Sequence, residues 1–370
     1  MKHSIKPKLF GGILLFALSI CLTSCNGTLD DIFGEWDKPS SGTVTPSRDK
    51  KSAATITNAP TATASIIAGE TTALVTAGTA DGGTMMYQVT TTNTKPTSTD
   101  GFSDELPTAA SLDPDSYFVW YYAKADATHT DSEIAAAAIE VAVDASLSMP
   151  LTLKAITAGT ITVGNPPTSM QFSLDGGSTK TAVSDVSGII NVSEGNKVTF
   201  YGSTENYGYG NTYFGGTAQV KMYGNIMSLV GTTFADNKTL TVDQTFKSLF
   251  NSYYKLIDAS SLLLPATTLR AQCYFYMFYG CTNLTATPKL NATTLAEDCY
   301  NGMFQGCTKL TKAYVKATYT NSNGECTDMF KGCSGNAVLH TTSANKASWE
   351  AVMGSGHTWA TWTVNDDWND

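Results

Sequence analysis

A 21-residue phrase occurs twice in this chain and dictates much of what it can become. L-P-A-T-T-L-R-A-Q-C-Y-F-Y-M-F-Y-G-C-T-N-L begins at Leu264, and L-N-A-T-T-L-A-E-D-C-Y-N-G-M-F-Q-G-C-T-K-L begins at Leu290, with 13 of the 21 positions identical. A degraded third copy keeps Met329, Phe330, Gly332 and Cys333, at the same offset again from Met303, Phe304, Gly306 and Cys307. Leu249, Phe250 and Leu256 form an eroded leading copy at a slightly longer offset. Units this short cannot bury an apolar stripe alone, so they must stack on one another as a solenoid. Solenoids present extended surfaces, which favours an interaction protein over an enzyme.

Within each unit an extended segment precedes what reads as a helical turn or two. Leu284 to Thr287 is extended, and Pro288 disfavours helix there. Leu295, Cys299 and Met303 then fall at i, i+4 and i+8, with Phe304 beside Met303 and Gly306 as the stop. That spacing predicts one apolar helical face, and Leu269, Cys273, Met277, Phe278 and Gly280 repeat it. Residues 241–340 are assigned to the repeats and 341–370 to a C-terminal cap holding Trp349, Trp359, Trp362 and Trp368 with Asp366, Asp367 and Asp370.

Six cysteines, at 273, 281, 299, 307, 326 and 333, all lie in the repeats. An even count in an exported chain admits disulfides. Two helical turns or more separate Cys299 from Cys307, about 12 Å and too far to bridge. The reading favoured is buried thiols that pack as small apolar side chains, with disulfides past the helix ends left open. The lack of a C-x-x-C pair argues against zinc, and no cofactor or metal is expected.

The N-terminus carries Lys2, Lys6 and Lys8, an apolar run over 9–22, then Thr23, Ser24 and Cys25. A basic stretch, a short apolar core and small residues before a cysteine predict a signal peptide over 1–24, cleaved so that Cys25 becomes the lipid acceptor. The run is too short for a spanning helix. Residues 25–52 read as a flexible linker. Removing the three leader lysines takes 23 basic residues to 20 against 32 acidic ones, a balance of −12. That charge argues against nucleic acid and against electrostatic attachment to anionic lipid, so membrane contact is expected through the anchor alone. Asp30 and Asp31 resemble the acidic export signals of some surface lipoproteins, and they read equally well as an ordinary acidic linker.

Between linker and repeats the sequence predicts two β units, so the fold expected is mainly β, two sandwich-like domains leading into a short α/β solenoid. Residues 53–146 show strand candidates at 73–77, 84–90, 117–122 and 134–143, with a turn at Asp81, Gly82 and Gly83. His129 sits between Asp126 and Asp131, which reads as a polar turn before it reads as a metal site. Residues 147–240 show strands at 151–156, 160–163, 170–174, 189–192, 197–201 and 219–223. A loop rich in glycine and aromatics follows the fifth of these, and Tyr207, Tyr209, Tyr213 and Phe214 are its candidate ligand-binding residues. Exposed rings there would stack on sugars or supply rigid contact area; buried ones would cover the seam with the repeats.

Cys273-Tyr274, Met277-Phe278, Gly280-Cys281 and Leu284, repeated as Cys299-Tyr300, Met303-Phe304, Gly306-Cys307 and Leu310, resemble the BspA-like leucine-rich repeats. Residues 74–78, 82–87 and 117–131 resemble bacterial immunoglobulin-like modules. These resemblances imply a lipid-anchored outer-membrane protein facing the cell exterior. It would act without catalysis, in adhesion to a host or bacterial surface protein, or alternatively on glycans through the 201–214 loop. The array is shorter than the family's long ones. No nucleophile elbow or metal-binding histidine pair stands out, and His129, His340 and His357 lack histidine neighbours in sequence.

Overall fold

The computed structural model describes residues 51–209, 211–353 and 361–368. The leader, Cys25, most of the linker, His357, Trp359 and Asp370 lie outside these. The described chain is mainly β, in several sheets, with one α-helix at Lys346–Met353.

Residues 53–146 build a four-stranded sheet in the order Ile66–Ile67, Ile139–Asp144, Asp115–Ala125, Gly83–Thr90, flanked by the pair Thr55–Asn58 and Thr79–Asp81. The Asp115–Ala125 strand is central because both its faces are apolar. Tyr117, Val119 and Ala123 enter the core with Leu74, Val75, Val141 and Val143. Trp120 and Tyr122 are buried as well; Trp120 donates to Thr90 Oγ1 at 3.2 Å and Phe102 meets Tyr122 edge-on at 5.1 Å. Residues 73–77 do not pair as a strand. They make single bridges, Ala73 to Thr108 and Val75 to Ala62.

One hydrophobic core runs from Leu151 to Val364, through both the second β unit and the repeats. Its frame is a ten-stranded sheet that changes character at Val220–Asn225. That strand pairs antiparallel with Thr152–Ala155 on one side and parallel with Leu256–Leu264 on the other. Parallel strands Ala286–Leu290, Lys312–Val315, Val338–His340 and Thr363–Asn365 follow in order. Ile189–Val192, Gly159–Gly164 and Tyr213–Gly216 form a separate three-stranded sheet.

The return half of each repeat is not helical, which corrects the expectation for Leu295, Cys299 and Met303. Residues 296–307 form consecutive tight turns in which alternate amides point along and across the stack. Cys299, Asn301, Met303, Gln305 and Cys307 donate to the carbonyl three positions back, at 3.1–3.2 Å. Tyr300, Gly302, Phe304 and Gly306 donate to carbonyls of the next unit, Glu325, Thr327, Met329 and Lys331, at 2.8–3.0 Å. Every fourth residue turns the corner with positive φ: Asp298 at 52°, Gly302 at 56° and Gly306 at 77°. The corners align down the stack as Gln244, Gln272, Asp298, Gly324; then Ser248, Tyr276, Gly302, Asp328; then Ser252, Gly280, Gly306, Gly332. The first interval in each column is slightly longer than the others, which are equal, as the eroded leading copy requires.

Four-residue turns aim residues in pairs, two inward and two outward. The inward pairs build two columns of rings. Tyr207, Phe246, Tyr274 and Tyr300 stack at 5.9–6.1 Å within 24° of parallel. Phe250, Phe278, Phe304 and Phe330 stack at 5.3–5.7 Å within 20°. Phe214 adds to one end of the second column at 5.1 Å, and Trp362 meets Phe330 at the other at 4.8 Å. Such ring pairs contribute about 0.5–1.5 kcal/mol each beyond simple burial.

Candidate functional site

The N-terminal sheet is fixed beside the ten-stranded sheet by charges at the start of its central strand. Asp113 accepts from Lys154 at 2.8 Å and pairs with Lys197 at 2.5 Å, while Asp115 pairs with Lys221 at 2.6 Å. Burial alone would raise the Asp113 pKa, but the two ammonium groups outweigh it and hold the carboxyl below its ordinary value. Tyr117, buried beside the Asp113 and Asp115 carboxylates, is pushed up to about 12.

This docking walls a groove of about 540 Å³ between the edge of the N-terminal sheet and the outer face of the parallel strands. Asp144 lies on one side; Ser260, Lys289, Lys312, Tyr314 and His340 lie on the other. The parallel register explains why. Lys289 pairs with Tyr314 and Tyr314 with His340, so residues distant in sequence form one row across three strands. Alternation turns their neighbours Leu290, Ala313, Val315 and Leu339 into the core. The Tyr314 and His340 rings stack at 4.5 Å and 15°. His340 Nδ1 bonds Asp367 Oδ1 at 2.7 Å, an interaction that outweighs burial and lowers the Asp367 pKa. Nε2 of His340 is buried and has no hydrogen-bond partner among the described residues. The groove thus offers ammonium, carboxylate, hydroxyl and ring surfaces, a set suited to holding a polar ligand. Sequence reasoning missed this row. Its signal was the near-constant spacing of Lys289, Tyr314 and His340, readable only once strand register is known.

The four aromatic candidates divide. Tyr207 and Phe214 are buried, at 0% and 1% exposure, and form the first rungs of the two ring columns, which corrects their assignment as ligand contacts. Tyr207 donates to the Leu229 carbonyl at 2.7 Å. Tyr209 and Tyr213 are 59% and 50% exposed.

Asp126 accepts from the His129 ring at 2.8 Å and from the Thr128 amide and hydroxyl at 2.7 and 2.8 Å, and these bonds hold it below the carboxylate range; the His129 amide adds a contact at 3.0 Å. Among the described residues no cluster of histidine, cysteine and acid is arranged to hold a metal. The six repeat cysteines are buried free thiols. Cys281, Cys307 and Cys333 donate in turn to the carbonyls of Phe250, Phe278 and Phe304 at 3.0–3.2 Å. Burial pushes the Cys281, Cys299, Cys326 and Cys333 thiols up to about 12. Among the described residues no helix is long and apolar enough to cross a membrane.

No family model, no curated protein and no solved structure matches this chain.

Proposed function

We propose that this chain is a lipid-anchored, non-enzymatic binding protein of the bacterial cell surface, built of an immunoglobulin-like module and BspA-like leucine-rich repeats. The observation that carries the binding reading is the outward row Lys289, Tyr314 and His340, facing a groove walled by Asp144. Functional surfaces on stacked repeats arise in this way, because each unit contributes one outward position at a fixed register. A partner with both acidic and basic groups fits it, such as a protein of a host or bacterial surface. The anchored, outward-facing location rests on Cys25 and the segment before it.

The test uses intact cells expressing the full chain and its Cys25→Ala variant. Immobilised fibronectin, laminin, collagen and fibrinogen serve as probes, with surface labelling read in parallel. Retention of wild-type cells and loss of surface label in the variant is the expected result. A label unchanged by Cys25→Ala would refute the anchor, and failure of wild-type cells to bind any of the four would refute the matrix-binding form of the proposal.

A further inference from the structure

A second cleft, of about 290 Å³, opens at the seam where the 207–214 loop joins the first turn-ladder rung. It is remote in chemistry from the charged groove: Asn211, Tyr213, Lys247, Ser248 and Asn251 line it, with one cation and no carboxylate. The seam is tight. A Cβ on Gly208 would collide with the Gln244 carbonyl and lie 2.9 Å from Lys247. Below it, the Phe214 amide donates to the Leu249 carbonyl at 2.8 Å, so the loop is bonded to the ladder as another rung.

Tyr213 is the organising residue. It stands opposite Gly164 in the cross-strand register, and a Cβ on Gly164 would collide with its ring. The missing side chain lets the ring lie down on the backbone, with half its surface left to solvent. An aromatic ring fixed from beneath presents a rigid apolar plane at little entropic cost on binding. Around it stand groups that donate and accept. The Asn251 Oδ1 takes the Ser252 hydroxyl at 2.7 Å, and its NH₂ has no partner among the described residues. Lys247 Nζ reaches Gln272 at 3.2 Å and lies 5.1 Å over the Phe275 ring.

A plane ringed by amides, a hydroxyl and an ammonium group complements a sugar. A pyranose has one face of C–H bonds and a rim of hydroxyls that each donate and accept. The plane takes the first and the rim groups take the second. A tyrosine ring laid over a glycine recurs along the stack. On the next repeat Tyr276 packs with Phe275 at 4.1 Å and Tyr279 at 5.1 Å, and a Cβ on Gly302 would collide with the Tyr276 ring. With rungs separated by about 4.8 Å, the Tyr213 and Tyr276 rungs lie ~10 Å apart, so a chain of sugars laid along the stack passes both. A polyanion is disfavoured by the acidic charge of the whole chain.

We infer that the Tyr213 cleft is a subsite for a neutral polysaccharide, with Tyr213 as the stacking platform and Asn211, Lys247 and Asn251 as hydroxyl partners. This site goes beyond the groove reading and does not depend on it. The test is affinity electrophoresis of the full chain through gels containing mannan, xylan, pullulan or a mixed-linkage β-glucan, with polygalacturonate as the anionic arm. At least one neutral polymer is expected to retard wild type. Tyr213→Ala should weaken that retardation at least tenfold, Tyr213→Trp should retain it, and Lys289→Glu in the groove should leave it unchanged. Asn211→Gly removes the amide at an exposed position whose φ of 50° a glycine tolerates; it is expected to weaken retardation severalfold and carries the test if Tyr213→Ala fails to fold. No retardation by any neutral polymer, retardation by polygalacturonate alone, or wild-type retardation in both Tyr213→Ala and Asn211→Gly would overturn the inference.

Discussion

The Phe278 ring lies 5.4 Å from the Phe304 ring and within 5° of parallel. Their positions differ by one repeat, and Phe278 N–H donates to the carbonyl of Met303, the residue before Phe304, at 2.8 Å. Backbone bonding and ring stacking therefore enforce the same register. That coupling is what lets so few units hold together: each rung is fixed twice over, once by alternate amides and once by its core rings.

Phe304 touches rings on both sides, at 5.4 Å to Phe278 and 5.7 Å to Phe330. Phe304→Ala is expected to destabilise the chain by about 3–5 kcal/mol, the range for a buried aromatic leaving a cavity. Urea unfolding followed by tryptophan fluorescence measures this. A loss under about 1 kcal/mol would mean the column contributes no more than a surface contact.

Gly306 turns its corner at φ 77°, and a Cβ there would sit 3.6 Å from Gly280, which is ordinary contact. Steric room is thus present and the backbone conformation alone opposes a side chain. Gly306→Ala should cost about 1–2 kcal/mol, the penalty of a left-handed residue. Denaturant midpoints for the two proteins check it.

The Asp113 carboxyl titrates below its ordinary value when folded because Lys154 and Lys197 flank it. A depressed folded pKa contributes stability that is complete above the unfolded value, near pH 4, and is lost as pH falls through the folded one. The melting temperature should accordingly drop on acidification below about pH 4. In Asp113→Asn this part of the dependence should flatten and the plateau at neutral pH should be lower. An identical pH profile in the variant would remove Asp113 from the docking of the N-terminal sheet.

The repeat thiols are buried, with Cys281, Cys299, Cys326 and Cys333 pushed up to about 12. Thiolate is the reactive form, so iodoacetamide at pH 8 should leave all six unmodified in the native chain. In denaturant all six should react, as intact-mass measurement would show. Failure of pairs to react when denatured without reductant would instead reveal disulfides.

The repeat period, the inward residues and most strands were legible in the sequence because burial and period speak directly. The turn ladder was not. Residues 295, 299, 303 and 307 repeat every four positions. Four residues of helix overshoot a full turn by about 40°, so a strict four-residue apolar period drifts off any helical face. That drift, and the non-helical Gly280, Gly302 and Gly306 at turn corners, were the available clues. The charged groove was invisible for a different reason. Lys289, Tyr314 and His340 become neighbours only through strand register, and Asp144 reaches them through the docking made by Asp113 and Asp115. Tyr207 and Phe214 were indistinguishable from Tyr209 and Tyr213 by composition, since burial there depends on which residues meet Phe246 and Phe250.

If the proposed function is right, the outward row on the parallel strands holds the partner. Solid-phase binding of the matrix proteins to the full chain, compared with its Lys289→Glu, Lys312→Glu double variant, tests it most directly. Binding is expected to be saturable and to fall at least tenfold, about 1.4 kcal/mol, in the double variant while its melting temperature stays within a few degrees of wild type. Equal binding by a folded double variant would contradict it.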